Sequence, residues 1–559
     1  MQRVIHTMLG MAASKRLGWN AVTLAAVAVA GVLAVPVLVV VSSVFAPMGD
    51  AWEHLAATVL PEYIANTLWL MLWVGFGVSV IGVATAWLTT LCRFPGRGFF
   101  EWALILPLAV PAYVMAYAYT DFLQFTGPVQ AWLRAAFGWG PRDYWFPDVR
   151  SLSGAAVIFS FVFYPYVYLL ARAAFLEQAA GMVEAGRSLG YGSWRSFFHL
   201  ALPLARPGIA AGIALALMET LADFGTVVYF ALPTFTTGIY RTWLSLGDRV
   251  AAAQLAAALL GFVALVLLAE RLSRGRARFD NRSARRLVPQ RLRGMRALGA
   301  VLACALPVVI GFAVPAAILL DLSLSEGELH FGARYFTLVF NSVSLSAITA
   351  VCAVMLALLL AYAARSSGNL IAPAAHRLAG LGYAVPGAVI AVGILIPVTR
   401  LDHALSGWLQ SWFGLSVGLI FTGGIAALVY AYLVRFMAVA LQSVEAGLTK
   451  VTPSMDDAAR SLGTPALGIL TRVHVPLLAP SLLTAALMVF VDVMKELPAT
   501  FMMRPFNFDT LAVHAYNLAS DERLSELAAP ALTIVVVGLV PLVVLSRSLV
   551  RARRAAERK

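Results

Sequence analysis

Four carboxylate side chains stand inside two long apolar stretches of the sequence, in pairs spaced four residues apart. Glu219 and Asp223 form the first pair, and Asp492 and Glu496 form the second pair 273 positions later. Because residues i and i+4 share one face of a helix, each pair is expected to present both carboxylates in one direction. Long apolar stretches of this kind are candidate membrane spans. Ionisable groups within a span almost always face a bundle interior, a partner or water.

These carboxylates and the neighbouring Lys495 allow two interpretations. In the first, they line a translocation path and offer hard oxygen ligands or a negative field to a cation. In the second, they are structural: Lys495 pairs with Asp492, and the other carboxylates bond between helices or hold neighbouring loops. No metal site is assigned, because the three cysteines lie far apart. Tyr113, Tyr117 and Tyr119 are interpreted as interfacial aromatic packing rather than as metal ligands.

A second candidate feature is a polar sequence that occurs twice. Residues 184–203 read EAGRSLGYGSWRSFFHLALP, and residues 457–476 read DAARSLGTPALGILTRVHVP. The acidic residue at the start suits the first turn of a helix. Gly190 and Gly463 are placed to end that helix, and a proline leads into the next apolar stretch. We expect a short helix–turn–helix along the membrane surface, with small residues that let another protein approach closely.

The composition indicates the elements that must position these residues. Of 559 residues, 61% are apolar and 12% are charged, which indicates an all-α integral membrane protein. A helical span needs about 20 mostly apolar residues, and about twelve stretches qualify. They are residues 21–45, 64–91, 100–122, 151–174, 208–232, 249–270, 297–321, 338–364, 378–399, 416–441, 482–503 and 528–547.

Loop charges predict the orientation of the chain. Loops rich in Arg and Lys alternate with loops that are poor in them, so both termini and the centre are expected to be cytoplasmic. The same loops account for the net charge of +13. The centre, residues 271–296, carries ten Arg and is interpreted as a linker held at the anionic lipid surface. Nucleic acid is not expected as a partner, because no aromatic platform accompanies the charge.

The linker divides two copies of one unit, residues 1–270 and residues 297–559. The polar sequences align 273 positions apart, and Asn66 and Pro111 align with Asn341 and Pro386 at 275 positions. Each half has about six predicted spans, so both halves run in the same sense through the membrane. This is a parallel repeat with its axis along the membrane normal.

The twin sequences resemble the EAA motif of ABC-transporter permeases of the binding-protein-dependent class. The mild departures are Gly186 in place of Ala and Asp457 in place of Glu. The resemblance implies that each loop is a coupling helix that docks on a separate ATP-binding subunit. The matching residues are Glu184, Ala185, Gly186, Gly190, Leu202 and Pro203 in the first copy, and Asp457, Ala458, Ala459, Gly463, Val475 and Pro476 in the second.

A closer resemblance covers most of the chain. The stretches at 163–175, 219–243 and 492–516 are similar to ferric-iron permeases, in which two permease halves are fused in one chain. The resemblance implies a MetI-like permease fold in each half, ferric iron as substrate, a periplasmic or surface solute-binding protein, and two copies of the ATP-binding subunit in the inner membrane of a bacterium. This chain itself is expected to be no enzyme and to bind no cofactor, with ATP and Mg²⁺ held by the partner. A permease for thiamine or another small solute and a stand-alone secondary transporter are the alternatives.

Overall fold

The computed structural model of the chain describes residues 21–188, 191–274, 290–325, 332–367, 370–449 and 451–557. These residues are predominantly helical, because a helix satisfies every backbone polar group within its own segment when water is absent. The elements before the linker are α1 (Ala21–Ser42), α2 (Asp50–Thr58), α3 (Leu60–Leu91), β1 (Cys92–Arg93), α4 (Arg97–Ala103), α5 (Ala112–Leu123), α6 (Pro128–Phe137), α7 (Leu152–Ser188), α8 (Ser193–Ser196), α9 (Leu202–Ala222), α10 (Gly225–Tyr229), α11 (Phe235–Leu244) and α12 (Arg249–Arg274).

A further set of elements follows in the second part of the chain. Its elements are β2 (Gln290–Arg291), α13 (Met295–Val308), α14 (Val314–Ser325), α15 (Ala333–Ser366), α16 (Ile371–Ala379), α17 (Gly387–Phe413), α18 (Ala426–Leu448), α19 (Pro453–Ser461), α20 (Ala466–Ile469), α21 (Val475–Met494), α22 (Pro498–Met503), α23 (Leu511–Ser520) and α24 (Leu524–Glu557). Strands β1 and β2 pair in parallel. Most of the predicted linker lies outside the described residues.

Twelve spans were expected, and the described residues contain eleven helices that are long and apolar enough to cross a membrane. A twelfth crossing is possible where residues 97–109 and 112–137 form two helical segments bent by 89°. The predicted third span is therefore broken. Pro111 lies at the break with an extended ψ of 144°, and its conformation starts α5 anew.

The parallel repeat is confirmed by matching elements in the two halves. Helices α5 and α17 both start directly after a proline, Pro111 and Pro386, which are 275 positions apart. A π-helical turn precedes the fifth span at Phe197–Ala201 and the eleventh span at Leu470–His474, which are 273 positions apart. Asn66 donates to the carbonyl of Pro233 at 3.0 Å, and Asn341 donates to the carbonyl of Asp509 at the same distance.

The helices form two compact units that are interleaved along the chain. Unit I comprises residues 21–46 and 337–510 of the described chain. In it, α1 packs against α16 and α17, and α18 packs against α21. The hydroxyl of Tyr430 in α18 donates to the carbonyl of Val32 in α1. The first helix therefore packs with helices of the second repeat.

Unit II comprises residues 47–336 and 511–557 of the described chain. Helix α7 is its central element, with α3 and α9 packed along it, and α23 and α14 pack on the last helix, α24. The side chains of Phe159, Tyr164 and Tyr168 on α7 are fully buried. Both units thus combine helices from the two predicted halves, which the repeat in the sequence does not reveal.

Candidate functional site

The twin sequences at residues 184–203 and 457–476 are called the first and second coupling loops below, after their predicted role. The second coupling loop consists of a short helix, a turn and a second short helix, as the sequence predicts. Helix α19 is followed by Gly463, whose φ of +77° is a left-handed conformation that residues other than glycine rarely adopt. The amide of Gly463 donates to the carbonyl of Arg460, and the amide of Thr464 donates to the carbonyl of Ala459. These two hydrogen bonds form a Schellman motif, which explains why the helix ends here.

Small and exposed residues cover one side of this loop. Asp457 and Ala458 are exposed, and the Asp457 carboxylate lies 3.1 Å from the Arg460 guanidinium. Leu462 is 84% exposed, which is unusual for a large apolar side chain at the end of a polar helix. Ala459 is buried beneath them. The loop therefore presents a shallow, partly apolar surface outward.

The helix then turns back toward the eleventh span. Helix α20 leads into the π turn at Leu470–His474 and directly into α21. Val475 is half-buried at the start of α21, and Pro476 is exposed. Pro476 lies in the first turn of α21 and lacks the backbone N–H that would donate to a carbonyl of the preceding π turn.

The first coupling loop is described only in part. The backbone of Glu184, Ala185 and Gly186 belongs to the end of α7, but their side chains lie outside the described residues, as does Gly190 altogether. After the turn, α8 and the π turn at Phe197–Ala201 lead into α9, where Leu202 is half-buried and Pro203 is exposed. The described portion after the turn therefore matches the second copy. Before the turn the copies differ, because α7 runs unbroken to Ser188 whereas the second half has two separate helices, α18 and α19.

A buried ionic cluster holds the second loop from inside. Nε2 of His474 lies 2.6 Å from Oδ1 of Asp456, and Nε of Arg365 donates to Oδ2 of the same carboxylate at 3.1 Å. Burial acts to raise the pKa of Asp456, but the hydrogen bonds from His474 and Arg365 outweigh it and hold that pKa below its ordinary value. The sequence does not reveal this cluster, because Arg365 lies 91 positions before Asp456 and His474 lies 18 positions after it.

The first intramembrane pair divides between a span and the break that follows it. Glu219 is half-buried on α9, whereas Asp223 lies just beyond the last residue of that helix. The Asp223 carboxylate accepts hydrogen bonds from the amides of Thr226 and Val227 at 2.9 and 3.2 Å. It therefore caps α10, and the predicted fifth span is interrupted where the carboxylate takes the amides of a new helix.

The equivalent residue in the second half makes the same arrangement. The Glu496 carboxylate is buried and accepts from the amides of Ala499 and Thr500 at 2.8 and 3.0 Å, so it caps α22. The guanidinium of Arg435 lies 3.4 Å from this carboxylate. The predicted eleventh span is consequently interrupted after Met494, as the fifth is after Ala222.

The remaining two charged residues pair with each other. Nζ of Lys495 lies 2.9 Å from Oδ1 of Asp492, the i,i+3 partner named from the sequence. In the described part of the chain, no group of three or more His, Cys, Asp or Glu side chains is placed to hold a metal ion. Two of the three tyrosines are buried within unit II: Tyr117 packs edge-on against Tyr229, and Tyr113 packs against Tyr117.

Comparison with known proteins adds an independent line of evidence. Residues 78–275 match the family model described as the binding-protein-dependent transport system inner membrane component. The chain is 24% identical over 495 residues to the Fe(3+)-transport system permease protein FbpB 2 of Haemophilus influenzae, covering 87% of this chain and 90% of that protein.

Relatives with other names match shorter stretches. The molybdenum transport system permease protein ModB of Escherichia coli is 30% identical over 209 residues, covering 35% of this chain and 87% of ModB. The sulfate transport system permease protein CysT of the same organism is 31% identical over 153 residues, covering 27% of this chain and 52% of CysT. The shared architecture thus occurs in proteins named for different substrates.

Proposed function

Since the chain belongs to the family of binding-protein-dependent transport system inner membrane components, we propose that it is the membrane-spanning subunit of an importer of ferric iron. It is an ABC-transporter permease, a multi-pass membrane protein and a transport subunit rather than an enzyme. A solute-binding protein delivers the iron at the outer face. Two copies of a separate ATP-binding subunit supply the energy, and both chain termini lie on the cytoplasmic side of a bacterial inner membrane.

The extent of the similarity supports iron as the substrate. The relative named for Fe(3+) transport matches over 87% of this chain and 90% of its own length, so it shares the length of two fused halves. ModB and CysT match only 35% and 27% of this chain. This full-length match is the observation on which the proposed substrate rests.

The surface of the second coupling loop supports the proposed ATP-binding partner. The side chains of Asp457, Ala458 and Leu462 are exposed on this loop. They form a partly apolar face that a cleft on another protein can cover. Each loop continues through a π turn into α9 or α21. Because helix follows helix without a flexible segment, a displacement of the loop passes directly into the span. ATP-driven movement of the partner thereby switches the path between inward-open and outward-open states.

Other solutes are the competing proposals for the same machine. Thiamine or another small solute would use the same loops and the same partners, and the relatives named for molybdenum and sulfate raise oxyanions as a further possibility. A secondary transporter would need no ATP-binding subunit, and membership of the family argues against it.

Reconstitution of the complex tests the proposal. The chain, its ATP-binding subunit and the solute-binding protein encoded beside them are placed in proteoliposomes, and uptake of labelled ferric iron, molybdate, sulfate and thiamine is compared. We expect iron uptake that requires both ATP and the binding protein. Uptake of one of the other solutes in place of iron would overturn the substrate. Iron uptake without the ATP-binding subunit would overturn the proposed coupling.

A further inference from the structure

We propose that Arg365, Asp456 and His474 are positioning residues that fix the second coupling loop to the end of α15, and that the residues at the equivalent positions of the first half cannot form the same fixation. This inference rests on the proposed coupling role of the loops. The three residues are called the clamp below. The two loops then transmit the movement of their ATP-binding subunits through contacts of different stiffness.

The clamp joins segments that are separate in sequence. Arg365 lies at the end of α15, Asp456 in the first turn of α19, and His474 at the end of the π turn before α21. His474 is fully buried and Asp456 is 8% exposed. A buried carboxylate with charged partners has a narrow range of acceptable geometries, since any displacement leaves it without hydrogen bonds. The loop and the span can therefore move only together.

Arg365 extends the clamp to the backbone at the loop entrance. Its Nη1 donates to the carbonyl of Leu448 at 3.2 Å, and its Nη2 donates to the carbonyl of Val451 at 2.8 Å. Leu448 is the last residue of α18, and its carbonyl has no partner within that helix. One guanidinium thus holds the end of α18 and the start of the loop, as well as Asp456.

The repeat positions in the first half carry residues that cannot form this clamp. Arg365 corresponds to Thr90 at 275 positions, and Asp456 and His474 correspond to Val183 and Ala201 at 273 positions. None of these three side chains is ionisable. The sequence difference therefore removes all of the charged groups of the clamp in the first loop.

The first loop meets α3 through aromatic packing instead. The ring of Trp87 on α3 lies 4.7 Å from the ring of Phe197 in the π turn and 5.8 Å from the ring of Phe175 on α7. Trp87 corresponds to Tyr362, whose ring packs on His474 at 5.5 Å. The same helix thus meets the same turn in both halves. Apolar packing is non-directional and tolerates sliding, whereas the hydrogen-bonded clamp does not.

The experiment copies the first-half residues into the second loop, as the variant Arg365→Thr/Asp456→Val/His474→Ala. The matched control, Arg523→Gln/Glu526→Gln, removes an exposed ion pair that belongs to neither loop sequence. Two quantities are measured in the reconstituted complex: affinity for the ATP-binding subunit, and the increase in ATP hydrolysis caused by iron-loaded binding protein.

We expect the triple variant to bind the ATP-binding subunit within about three-fold of wild type, because the exposed loop face is unchanged. Stimulation of ATP hydrolysis should fall at least five-fold, while the control keeps the wild-type ratio. Undiminished stimulation in the triple variant would overturn the inference. A wild-type complex without any stimulation would instead count against the proposed function.

A conservative variant separates positioning from simple stability. His474→Gln keeps an N–H that can donate to Asp456, and it should retain most of the stimulation that His474→Ala loses. If the triple variant fails to assemble, this pair of single variants decides the question. Equal stimulation in both, or a loss that only follows the thermal unfolding midpoint, would overturn the positioning role.

Discussion

Nη2 of Arg172 lies 3.2 Å from Oε2 of Glu101. In the second half, His376 aligns with Glu101 and Glu445 aligns with Arg172, and Nε2 of His376 lies 3.3 Å from Oε1 of Glu445. The acidic and the basic residue have exchanged positions. In each half the pair joins the short helix after the second span, α4 or α16, to the helix that leads to the coupling loop, α7 or α18. The two halves thus place one acidic and one basic residue across the same helix contact, with the acidic and basic positions exchanged.

Exchanging the charges of the second pair tests this relationship. Glu445→Arg replaces the carboxylate beside His376 with a cation and should lower the midpoint of thermal unfolding by about 1–3 °C, because a partly exposed pair contributes about 0.2–1 kcal/mol. His376→Glu/Glu445→Arg copies the first-half pair and should recover the midpoint. In the first half, Arg97 stands four residues before Glu101. The equivalent residue in the second half is Ala372, so a Glu at position 376 has no arginine four residues before it. A double variant no more stable than the single variant contradicts the prediction.

The turn in the second coupling loop should require a left-handed residue at Gly463. Gly463→Ala strains the backbone by about 1 kcal/mol, whereas Gly463→Asn is better tolerated because Asn adopts this conformation more readily. We expect reduced affinity for the ATP-binding subunit with Ala and near-normal affinity with Asn, measured by titration of the purified subunits. Equal affinities for the two variants would show that the turn geometry is not what the partner recognises.

Gly387 at the start of α17 lies against the Glu496 cap. A Cβ atom there would be 2.4 Å from Nη1 of Arg435 and 2.9 Å from Oε1 of Glu496. Gly387→Ala should therefore destabilise the protein by about 1–3 kcal/mol through overpacking. The first half has Ala112, Val162 and the shorter Asp223 at the positions of Gly387, Arg435 and Glu496. The variant Gly387→Ala/Arg435→Val/Glu496→Asp should therefore be more stable than Gly387→Ala alone in thermal unfolding. Additive losses in the triple variant would refute the compensation.

Substitution of the intramembrane carboxylates separates the path from the structural interpretation. Glu496→Gln weakens the charged cap of α22 and should cost about 1–3 kcal/mol of stability, while iron uptake per folded transporter stays within about two-fold of wild type. Glu219→Gln is the companion variant, since Glu219 lies on α9 itself rather than in the break. Wild-type uptake by both variants at normal expression would exclude the path interpretation, and a loss confined to Glu219→Gln would support it there.

Local sequence patterns predicted the spans, the repeat and the turn at Gly463. Each depends on residues close together in the chain: an apolar stretch, a shared spacing or a glycine after a short polar helix. The breaks at Asp223 and Glu496 were not predicted, because apolar residues continue past them. A carboxylate followed three or four residues later by threonine, as in Asp223–Thr226 and Glu496–Thr500, is the signal that was available.

The clamp and the interleaving of the two units could not be predicted from local sequence patterns. In the sequence, Arg365 is a basic residue at the end of an apolar stretch, and His474 lies near Arg472 within the second polar sequence. Their partnership with Asp456 depends on how α15, α19 and α21 pack, which no short stretch encodes. The pairs with exchanged acidic and basic residues could not be predicted from the sequence either. In an alignment of the halves, Glu101 against His376 and Arg172 against Glu445 are two unrelated differences.

The packing of α1 against α16 and α17 has a consequence for biogenesis. The partner helices are synthesised more than three hundred residues after α1. At about 5–20 residues per second, the ribosome needs on the order of tens of seconds to make that stretch. During this interval α1 is inserted without its final neighbours, and only lipid, the translocation machinery or a membrane chaperone can cover its apolar sides.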